Sequence, residues 1–237
     1  MLEVKNLTKR FSGITAVDNV SMSVKKGETL GIIGTNGAGK TTLFNILSGF
    51  ETADSGTVLY EGRDVTRLSQ NSLVRLGFAR TFQNLRLFYD MTVRENLLVS
   101  AFARKTDPKA CDDLLKLSNL WEKRNHLSSA LAYGEMRKLE LLRATATGAR
   151  ILFLDEPSAA MTRPEATELD LLIKTLKATY SLTVLLIEHN MELVSLSCDR
   201  VCAMDRGRII SSGAPNKVLS DPVVTASMLP RRKYAKA

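Results

Sequence analysis

The sequence predicts an α/β fold in which buried strands alternate with amphipathic helices. A glycine-rich loop at 34–41 lies between an apolar run at 30–33 and an apolar helical pattern. Two later apolar runs, at 151–154 and 183–187, are each followed by acidic residues. Polar residues that follow buried strands are typical of the ligand-binding edge of an open α/β sheet. These features predict a sheet with its site at that edge.

The loop at 34–41 reads Gly-Thr-Asn-Gly-Ala-Gly-Lys-Thr, which is the spacing of a P-loop. Its glycines let successive backbone N–H groups point into one concavity, and the following helix start adds partial positive charge. Lys40 can then reach the β- and γ-phosphates, and the Thr41 hydroxyl can hold Mg²⁺. The alternative is an incidental glycine turn, and the strand and helix on its two sides argue against it. The chain is therefore predicted to bind a nucleoside triphosphate.

Composition sets only broad limits on function. The 237 residues suffice for one large domain or two small ones, and 44% hydrophobic with 24% charged residues is usual for a globular protein. No apolar run approaches the roughly 20 residues that cross a bilayer, and a charged start is unlike a signal peptide. Three cysteines without metal-type spacing indicate reduced thiols in a cytosolic protein. The net charge of +8 is compatible with a nucleotide, a membrane surface or nucleic acid.

The first part of the chain is predicted to be mainly strands. Residues 2–30 favour antiparallel strands because apolar residues alternate with serines over 20–24. Phe11 precedes a glycine turn, and from these residues alone its favoured role is to cover the sheet edge. Beyond the P-loop, the pattern predicts a strand at 56–60 and a helix at about 69–76.

Gln83 follows a strand predicted at 78–82. Such a residue at the end of a central strand can face a ligand, but it can equally be an ordinary loop residue, and spacing leaves both open. From about 84 to 148 the pattern is helical throughout, with a capping box that starts at Thr92. The helix start at 131–135 offers N–H groups to an anion, although most helix starts bind only water.

Two carboxylates, Asp155 and Glu156, follow the strand at 151–154. Four apolar residues and an aspartate form the second metal-binding element of P-loop NTPases, in which the aspartate holds Mg²⁺. The adjacent glutamate can orient the attacking water or take its proton. The alternative is a pair of solvated acids, and the P-loop upstream favours the functional interpretation. His189 follows the strand at 183–187; a lone histidine is usually structural, but its position at the ligand-binding edge of the sheet favours contact with a phosphate.

The remaining pattern predicts structural elements rather than chemistry. A second capping box at 162–165 opens a helix, and a final strand pair brackets 205–208. The basic tail at 231–236 is expected to be mobile.

Taken in order, these motifs resemble the nucleotide-binding domain of ABC transporters along nearly the whole chain. The matching elements are the P-loop at 34–41, Gln83 of the Q-loop, the signature at 131–135, the second Walker motif at 155–156, the D-loop at 158–162 and the switch histidine, His189. The resemblance implies one nucleotide-binding domain over 1–237. Its P-loop NTPase (RecA-like) core would cover 1–83 and 149–237, with an N-terminal antiparallel β subdomain, and a helical subdomain would be inserted at 84–148.

A narrower resemblance rests on the segment 79–88, Ala-Arg-Thr-Phe-Gln-Asn-Leu-Arg-Leu-Phe, with 91–97 and 131–134. These segments are similar to the ATPases of branched-chain (hydrophobic) amino-acid importers. Relatives that import urea, amides and aromatic acids leave the solute open. One alternative is a soluble non-transport ABC ATPase acting on nucleic acid or ribosomes. Those proteins usually have two cassettes or a long coiled-coil insertion, and this chain has neither. A cassette that has lost hydrolysis is a second alternative, against which Glu156 and His189 argue.

The resemblance also implies a role for each site residue. Phe11 would stack on adenine, and the signature would complete the site of an opposite subunit. The nucleotide-binding residues would be Phe11, Asn36, Gly37, Ala38, Gly39, Lys40, Thr41, Thr42, Ala132 and Gly134. Mg²⁺ would be served by Thr41, Gln83 and Asp155, and the catalytic residues would be Glu156, His189 and Gln83.

The implied cofactors are ATP and Mg²⁺. The implied partners are a second ABC ATPase subunit, identical or different, two transmembrane permease subunits and, indirectly, a periplasmic or extracellular solute-binding protein, with no nucleic acid. The implied location is cytoplasmic, on the inner face of the cell membrane.

Three residues depart from the family pattern. Ala132 replaces a serine, Glu135 replaces a glutamine, and Thr162 replaces a D-loop aspartate or asparagine. The charge of Glu135 suits the helix dipole but opposes a phosphate.

Overall fold

The computed structural model describes residues 1–104 and 107–228, so the expected basic tail at 231–236 lies outside the described residues. Within them, the strands β1 to β10 are Leu2–Phe11, Ile14–Val24, Thr29–Ile33, Ser55–Tyr60, Arg63–Asp64, Phe78–Arg80, Ile151–Asp155, Thr183–Ile187, Arg200–Asp205 and Arg208–Gly213. The helices α1 to α9 are Lys40–Leu47, Gln70–Arg75, Val93–Arg104, Pro108–Leu117, Tyr133–Ala146, Arg163–Tyr180, Met191–Ser197, Pro215–Leu219 and Pro222–Met228.

The strands form two sheets, and the predicted α/β class is confirmed. The first sheet is antiparallel, in the order β2-β1-β4-β5, and it contains the alternating strands of the chain start. The second has the order β10-β9-β3-β8-β7-β6, in which only the β9–β10 pair is antiparallel. Strands β3, β7 and β8 are buried at every residue, as their continuous apolar runs predict.

Strand β6 is shorter than predicted, and it is an edge strand rather than a central one. The N–H of Thr81 still donates to Phe153 of β7 at 2.9 Å. The next two carbonyls, of Phe82 and Gln83, instead accept from the guanidinium of Arg137 on α5. Gln83 therefore lies in a loop held by a helix and not at the end of a strand.

The segment 84–92 is not helical, which corrects the expectation of helix throughout 84–148. Asn96 of α3 is fully buried, and its side-chain amide both donates to and accepts from the backbone of Phe88, each at 3.0 Å. This pairing satisfies backbone groups that a helix would otherwise use. The predicted capping box at Thr92 is present, because Glu95 accepts from the Thr92 N–H at 2.8 Å.

An aromatic cluster fills the space between the two sheets. Phe153 of β7 is fully buried, with its ring centroid 5.5 Å from that of Phe44 and 5.8 Å from that of Phe78. Edge-to-face and offset contacts of this kind add to the free energy gained by burial. Phe153 therefore anchors α1 to the parallel sheet and packs against the neighbouring strand β6.

The three cysteines, Cys111, Cys198 and Cys202, are free and buried. Burial, with nearby carboxylates, raises the pKa of the Cys198 thiol to about 12. Among the described residues, no helix has the length and apolar character needed to cross a membrane.

Replacing Phe153 should test the aromatic cluster. We expect Phe153→Ala to lower the free energy of unfolding by about 3–5 kcal/mol, because it removes a buried ring and leaves a cavity. Phe102→Ala is the control, since that ring is 73% exposed, and it should change stability by no more than about 0.5 kcal/mol. Denaturant unfolding measures both, and equal losses would contradict the packing role of Phe153.

Candidate nucleotide site

The P-loop connects β3 to α1 through glycines that no other residue could replace in this conformation. Gly34 and Gly39 have φ of 151° and 100°. A Cβ on Gly34 would lie 2.3 Å from the Met204 carbonyl oxygen, and one on Gly39 would lie 2.2 Å from that of Ala16. The loop is therefore packed tightly against β2 and β9 on one side, which leaves its other side to form a cleft.

Lys40, the first residue of α1, is only 5% exposed. Its ammonium donates to the carbonyl oxygens of Gly34 at 2.8 Å and Thr35 at 3.0 Å. Burial lowers the pKa of Lys40, and the charges of Glu156 and Asp155 oppose that shift. The loop thus holds a partly desolvated cation, which an incoming phosphate would compensate.

A cleft of about 590 Å³ opens over the P-loop. The predicted residues that line it are Asn36, Gly37, Ala38, Gly39, Lys40, Thr41, Thr42, Gln83 and Glu156. It is also lined by Ile14, Thr15, Ala16 and Arg206, which sequence reasoning missed. The Arg206 turn reaches the loop because Gly207 donates its N–H to the Ala38 carbonyl at 2.9 Å. In the sequence, only Gly207 of this distant turn could have suggested that Arg206 lies at the site.

Three predicted catalytic residues meet beside the cleft. One carboxylate oxygen of Glu156 lies 2.6 Å from Nε2 of His189, and the other accepts from the Gln83 side chain at 3.4 Å. Glu156 has φ of 48°, a left-handed conformation that a residue other than glycine rarely adopts. That turn directs its carboxylate away from the strand axis of β7 and toward the two loops.

Asp155 is buried and bound by Arg80, a residue that sequence reasoning did not single out. The Arg80 guanidinium donates to Asp155 at 2.9 Å, to Asn45 on α1 at 2.7 Å and to Ser48, which follows α1, at 2.9 Å. It also lies 5.3 Å from the ring centroid of Phe82. Arg80 thereby joins the end of β6, helix α1 and the carboxylate of β7. No short-range pattern reveals such a contact between residues 75 positions apart.

Two further residues hold the loops in place. Glu188 is 5% exposed, and its carboxylate accepts from the N–H groups of Ser158 and His189, each at 3.1 Å. Arg137, on α5, is 4% exposed and binds the carbonyls of Phe82 and Gln83. Glu188 therefore links the loop after β7 to the loop after β8, and Arg137 links α5 to Gln83.

Phe11 lies at the end of β1, opposite Ile14 of β2, and its ring is 42% exposed. Lys9 is positioned over the ring, 5.0 Å from its centroid. Since Ile14 lines the cleft, Phe11 lies next to the cleft with a partly exposed ring.

Ala132 and Gly134 are at the start of α5 and do not line the cleft described above. A Cβ on Gly134 would lie 2.9 Å from a carboxylate oxygen of Glu165 on α6. That atom is the end of a flexible side chain, so this contact alone does not require glycine at 134. Within one chain, the start of α5 and the P-loop belong to separate surfaces.

The residues predicted for Mg²⁺ supply suitable ligands. Thr41 is exposed in the cleft, and Gln83 lines it. Asp155 is 7% exposed, binds Arg80 through one carboxylate oxygen, and is not among the residues that line the cleft. A hydroxyl, an amide oxygen and one carboxylate match the way Mg²⁺ binds alongside substrate phosphates, without a dedicated acidic cluster. In the described part of the chain no group of three or more histidine, cysteine or acidic residues forms a metal cluster.

The fold and this cleft define a nucleoside triphosphatase of the P-loop class. The family described as ABC transporter matches residues 17–159. LivG of Salmonella typhimurium and BraF of Pseudomonas aeruginosa, both high-affinity branched-chain amino acid transport ATP-binding proteins, are 39% and 38% identical to this chain. Each match covers 97% of both chains. MetN of Rhizobium johnstonii, a methionine import ATP-binding protein, is 37% identical over 97% of this chain but 66% of its own length.

Solved structures agree with these matches. A nucleotide-free ATP-binding cassette from an ABC transporter superposes with a TM-score of 0.87 at 31% identity, covering 97% of this chain and 99% of the other. The ADP conformation of the cassette MJ1267 gives 0.87 at 32% identity, covering 95% and 97%. This chain belongs to the ATP-binding subunits of ABC transporters, and it is an ATPase. The predicted family is confirmed, and the matches favour it over a soluble non-transport ATPase.

Removing the Lys40 ammonium should test the P-loop. Lys40→Ala deletes a charge-assisted contact worth about 1.5–3 kcal/mol, so ATP affinity should fall at least about tenfold. Lys26→Ala, at an exposed turn position, is the charge-matched control and should bind ATP as the wild type does. Calorimetric titration gives both affinities. Unchanged affinity in Lys40→Ala would exclude Lys40 from the nucleotide site.

Proposed function

We propose that this chain is the ATP-hydrolysing subunit of an importer for branched-chain or related hydrophobic amino acids. The observation that carries the proposal is the match of 38–39% identity over 97% of both chains to LivG and BraF. The match to a methionine importer covers only 66% of that protein. The relatives that align along their whole length therefore indicate the solute class better than the partial match does.

ATP would bind with its phosphates on the P-loop and its adenine on Phe11. The backbone N–H groups of 36–41 and the side chains of Lys40 and Thr42 would hold the phosphates. The Lys40 ammonium would exchange its two loop carbonyls for phosphate oxygens. Thr41, Gln83 and Asp155 would hold Mg²⁺, which neutralises charge on the phosphates.

Glu156 would act as the general base. In hydrolysis, water attacks the γ-phosphorus, the bond to the β–γ bridging oxygen breaks, and the proton of the water passes to the Glu156 carboxylate. In the structure that carboxylate is bound to His189 and Gln83. With ATP bound, His189 would contact the γ-phosphate and Gln83 would serve Mg²⁺, so the Glu156 carboxylate would be free to accept the proton.

The complete site would need a second ABC ATPase subunit, identical or different. In this proposal Ala132 and Gly134, which do not line the cleft of their own chain, supply the α5 start to the nucleotide on the opposite subunit. Arg137 ties that helix to the backbone of Gln83. Closure of the dimer on ATP would therefore move the signature and the Gln83 loop together.

The membrane subunits would dock beside Gln83. A cavity of about 270 Å³ lies between α2, β6 and α5, lined in part by Phe50, Phe82 and Arg86. Elsewhere on the surface, Tyr89 is 43% exposed and Phe102 is 73% exposed. An apolar surface with cationic groups suits a short protein segment. Separate permease subunits, two in the assembled importer, would provide such segments, and this chain would then lie on the inner face of the cell membrane. A solute-binding protein would act on it only through them, and no nucleic acid is involved.

Glu156→Gln should separate binding from hydrolysis. The amide preserves size but removes basicity, so turnover should fall by about two orders of magnitude or more while ATP binding survives. Dimers should accumulate on gel filtration with ATP and Mg²⁺, since the step that opens them is blocked. Glu192→Gln, at an exposed glutamate, should turn over as the wild type does. Near-normal turnover in Glu156→Gln would remove Glu156 as the base.

The solute should be tested in cells whose only copy of this chain carries Lys40→Ala. Uptake of labelled leucine, isoleucine and valine should fall to background, because transport loses its energy source. Methionine uptake in the same cells is the internal control and should be unchanged. Normal leucine uptake together with lost uptake of another solute would overturn the proposed solute class and leave the ATPase assignment intact.

A further inference from the structure

The carboxylate of Glu135 is turned back onto the start of its own helix. Ala132, the residue before α5, has no side-chain acceptor, so the usual capping contact from that position is missing. One oxygen of Glu135 accepts from the Ala132 N–H at 3.1 Å, and the other lies 2.6 Å from the Lys123 ammonium. Both carboxylate oxygens of Glu135 are therefore engaged within the chain.

Glu135 is ionised in this setting. Burial would raise the pKa of its carboxyl, but the contacts from Lys123 and the Ala132 N–H, with the charge of Lys138, lower the pKa below its usual value. A full negative charge thus lies at the start of the helix that carries the signature.

Lys123 is the direct partner of this charge. It ends the short 3₁₀ turn Trp121–Lys123, which is fixed because Lys123 donates its N–H to Leu120 at 3.0 Å and accepts from the N–H of His126 at 2.9 Å. The next cation, Lys138, is bound to Glu168 at 2.6 Å. The 3₁₀ turn therefore holds the Lys123 ammonium that compensates Glu135. Lys138, the other nearby cation, is already paired with Glu168.

A bare carboxylate here would oppose a nucleotide. The following step rests on the proposed function, in which the start of α5 contacts the phosphates of ATP on the opposite subunit. A unit charge several ångströms from a polyanion, at the effective dielectric of a protein surface, weakens binding on the order of tenfold. The Lys123 charge cancels most of that repulsion. Lys123 does so without occupying any of the backbone N–H groups at the start of α5.

We propose that Lys123 is a positioning residue of the shared ATP site. It neutralises Glu135 and holds the carboxylate against the Ala132 N–H, so the remaining N–H groups of the α5 start face the opposite subunit's phosphates. Lys123 touches neither ATP nor the P-loop of its own chain. Its effect is exerted through Glu135 and depends on the presence of that carboxylate.

A double-mutant cycle tests this dependence. The variants of the full chain are Lys123→Met, Glu135→Gln and the double variant, with Lys123→Arg as the conservative replacement. Lys116→Met is the matched control, because it removes the same charge from the same region, where Lys116 pairs with Asp113 at 3.9 Å and not with Glu135. ATP affinity is measured in dilute, monomeric protein, and ATP-dependent self-association is measured by sedimentation beside turnover as a function of protein concentration.

In the wild type, turnover per subunit should rise with protein concentration. Lys123→Met should leave ATP affinity of the monomer unchanged but raise the dissociation constant of the ATP-bound dimer by about tenfold, an effect that added salt reduces. Lys123→Arg and Lys116→Met should stay within about threefold of the wild type. In the Glu135→Gln background, Lys123→Met should change the constant by less than about twofold, since no charge remains to be compensated.

Equal losses from Lys123→Met in both backgrounds would show a structural role and overturn the proposal, as would no loss in the wild-type background. Wild-type turnover that is flat on dilution, with no association on ATP, would overturn the shared site itself and this proposal with it. The two failures are distinguishable, because only the second appears before any substitution is made.

Discussion

Parallel pairing of β3 with β8 and of β8 with β7 is the constraint on which the site depends. Ile187 lies opposite Ile32 on one side and Asp155 on the other, so the three strands end at one level. The P-loop, Glu156 and His189 leave the sheet at that level, and Glu156 and His189 lie within hydrogen-bond distance of each other. A slip of one residue in either pairing would exchange the side chains on the two buried faces of these strands, and for that reason the register is strongly determined.

Buried charged residues, each fixed by several hydrogen bonds, join this edge to the rest of the molecule. Arg80 binds α1 to Asp155, Glu188 binds the loop after β7 to the loop after β8, and Arg137 binds α5 to Gln83. Removing one partner would leave a buried charge uncompensated, which is strongly unfavourable. These hydrogen bonds are therefore expected to stay intact when the site moves. Movement at the nucleotide is therefore expected to involve whole segments rather than isolated side chains.

Local sequence patterns predicted much of the fold and of the site. The predictions that were wrong share a physical cause. The P-loop, both capping boxes and the buried strands depend on neighbouring residues, so their spacing was sufficient. The end of β6 depends instead on Arg137, which binds the Phe82 carbonyl from 55 residues away, and the irregular segment 84–92 depends on Asn96, whose side chain binds the backbone of Phe88. The partner of Asp155 is likewise 75 residues away in sequence. Side-chain contacts over such separations have no periodicity to read.

The buried cysteines described with the fold have a practical consequence for spectroscopy. Cys111, Cys198 and Cys202 are 0%, 8% and 1% exposed, and burial raises the pKa of each thiol. Alkylating probes react with accessible thiolates, so the native protein should take up almost none. One cysteine placed on an exposed helix position, such as Leu171→Cys on α6 at 64% exposure, would carry a spin label or fluorophore at a single site. Distances between two such labels could then follow subunit closure in a chain that keeps all its natural cysteines.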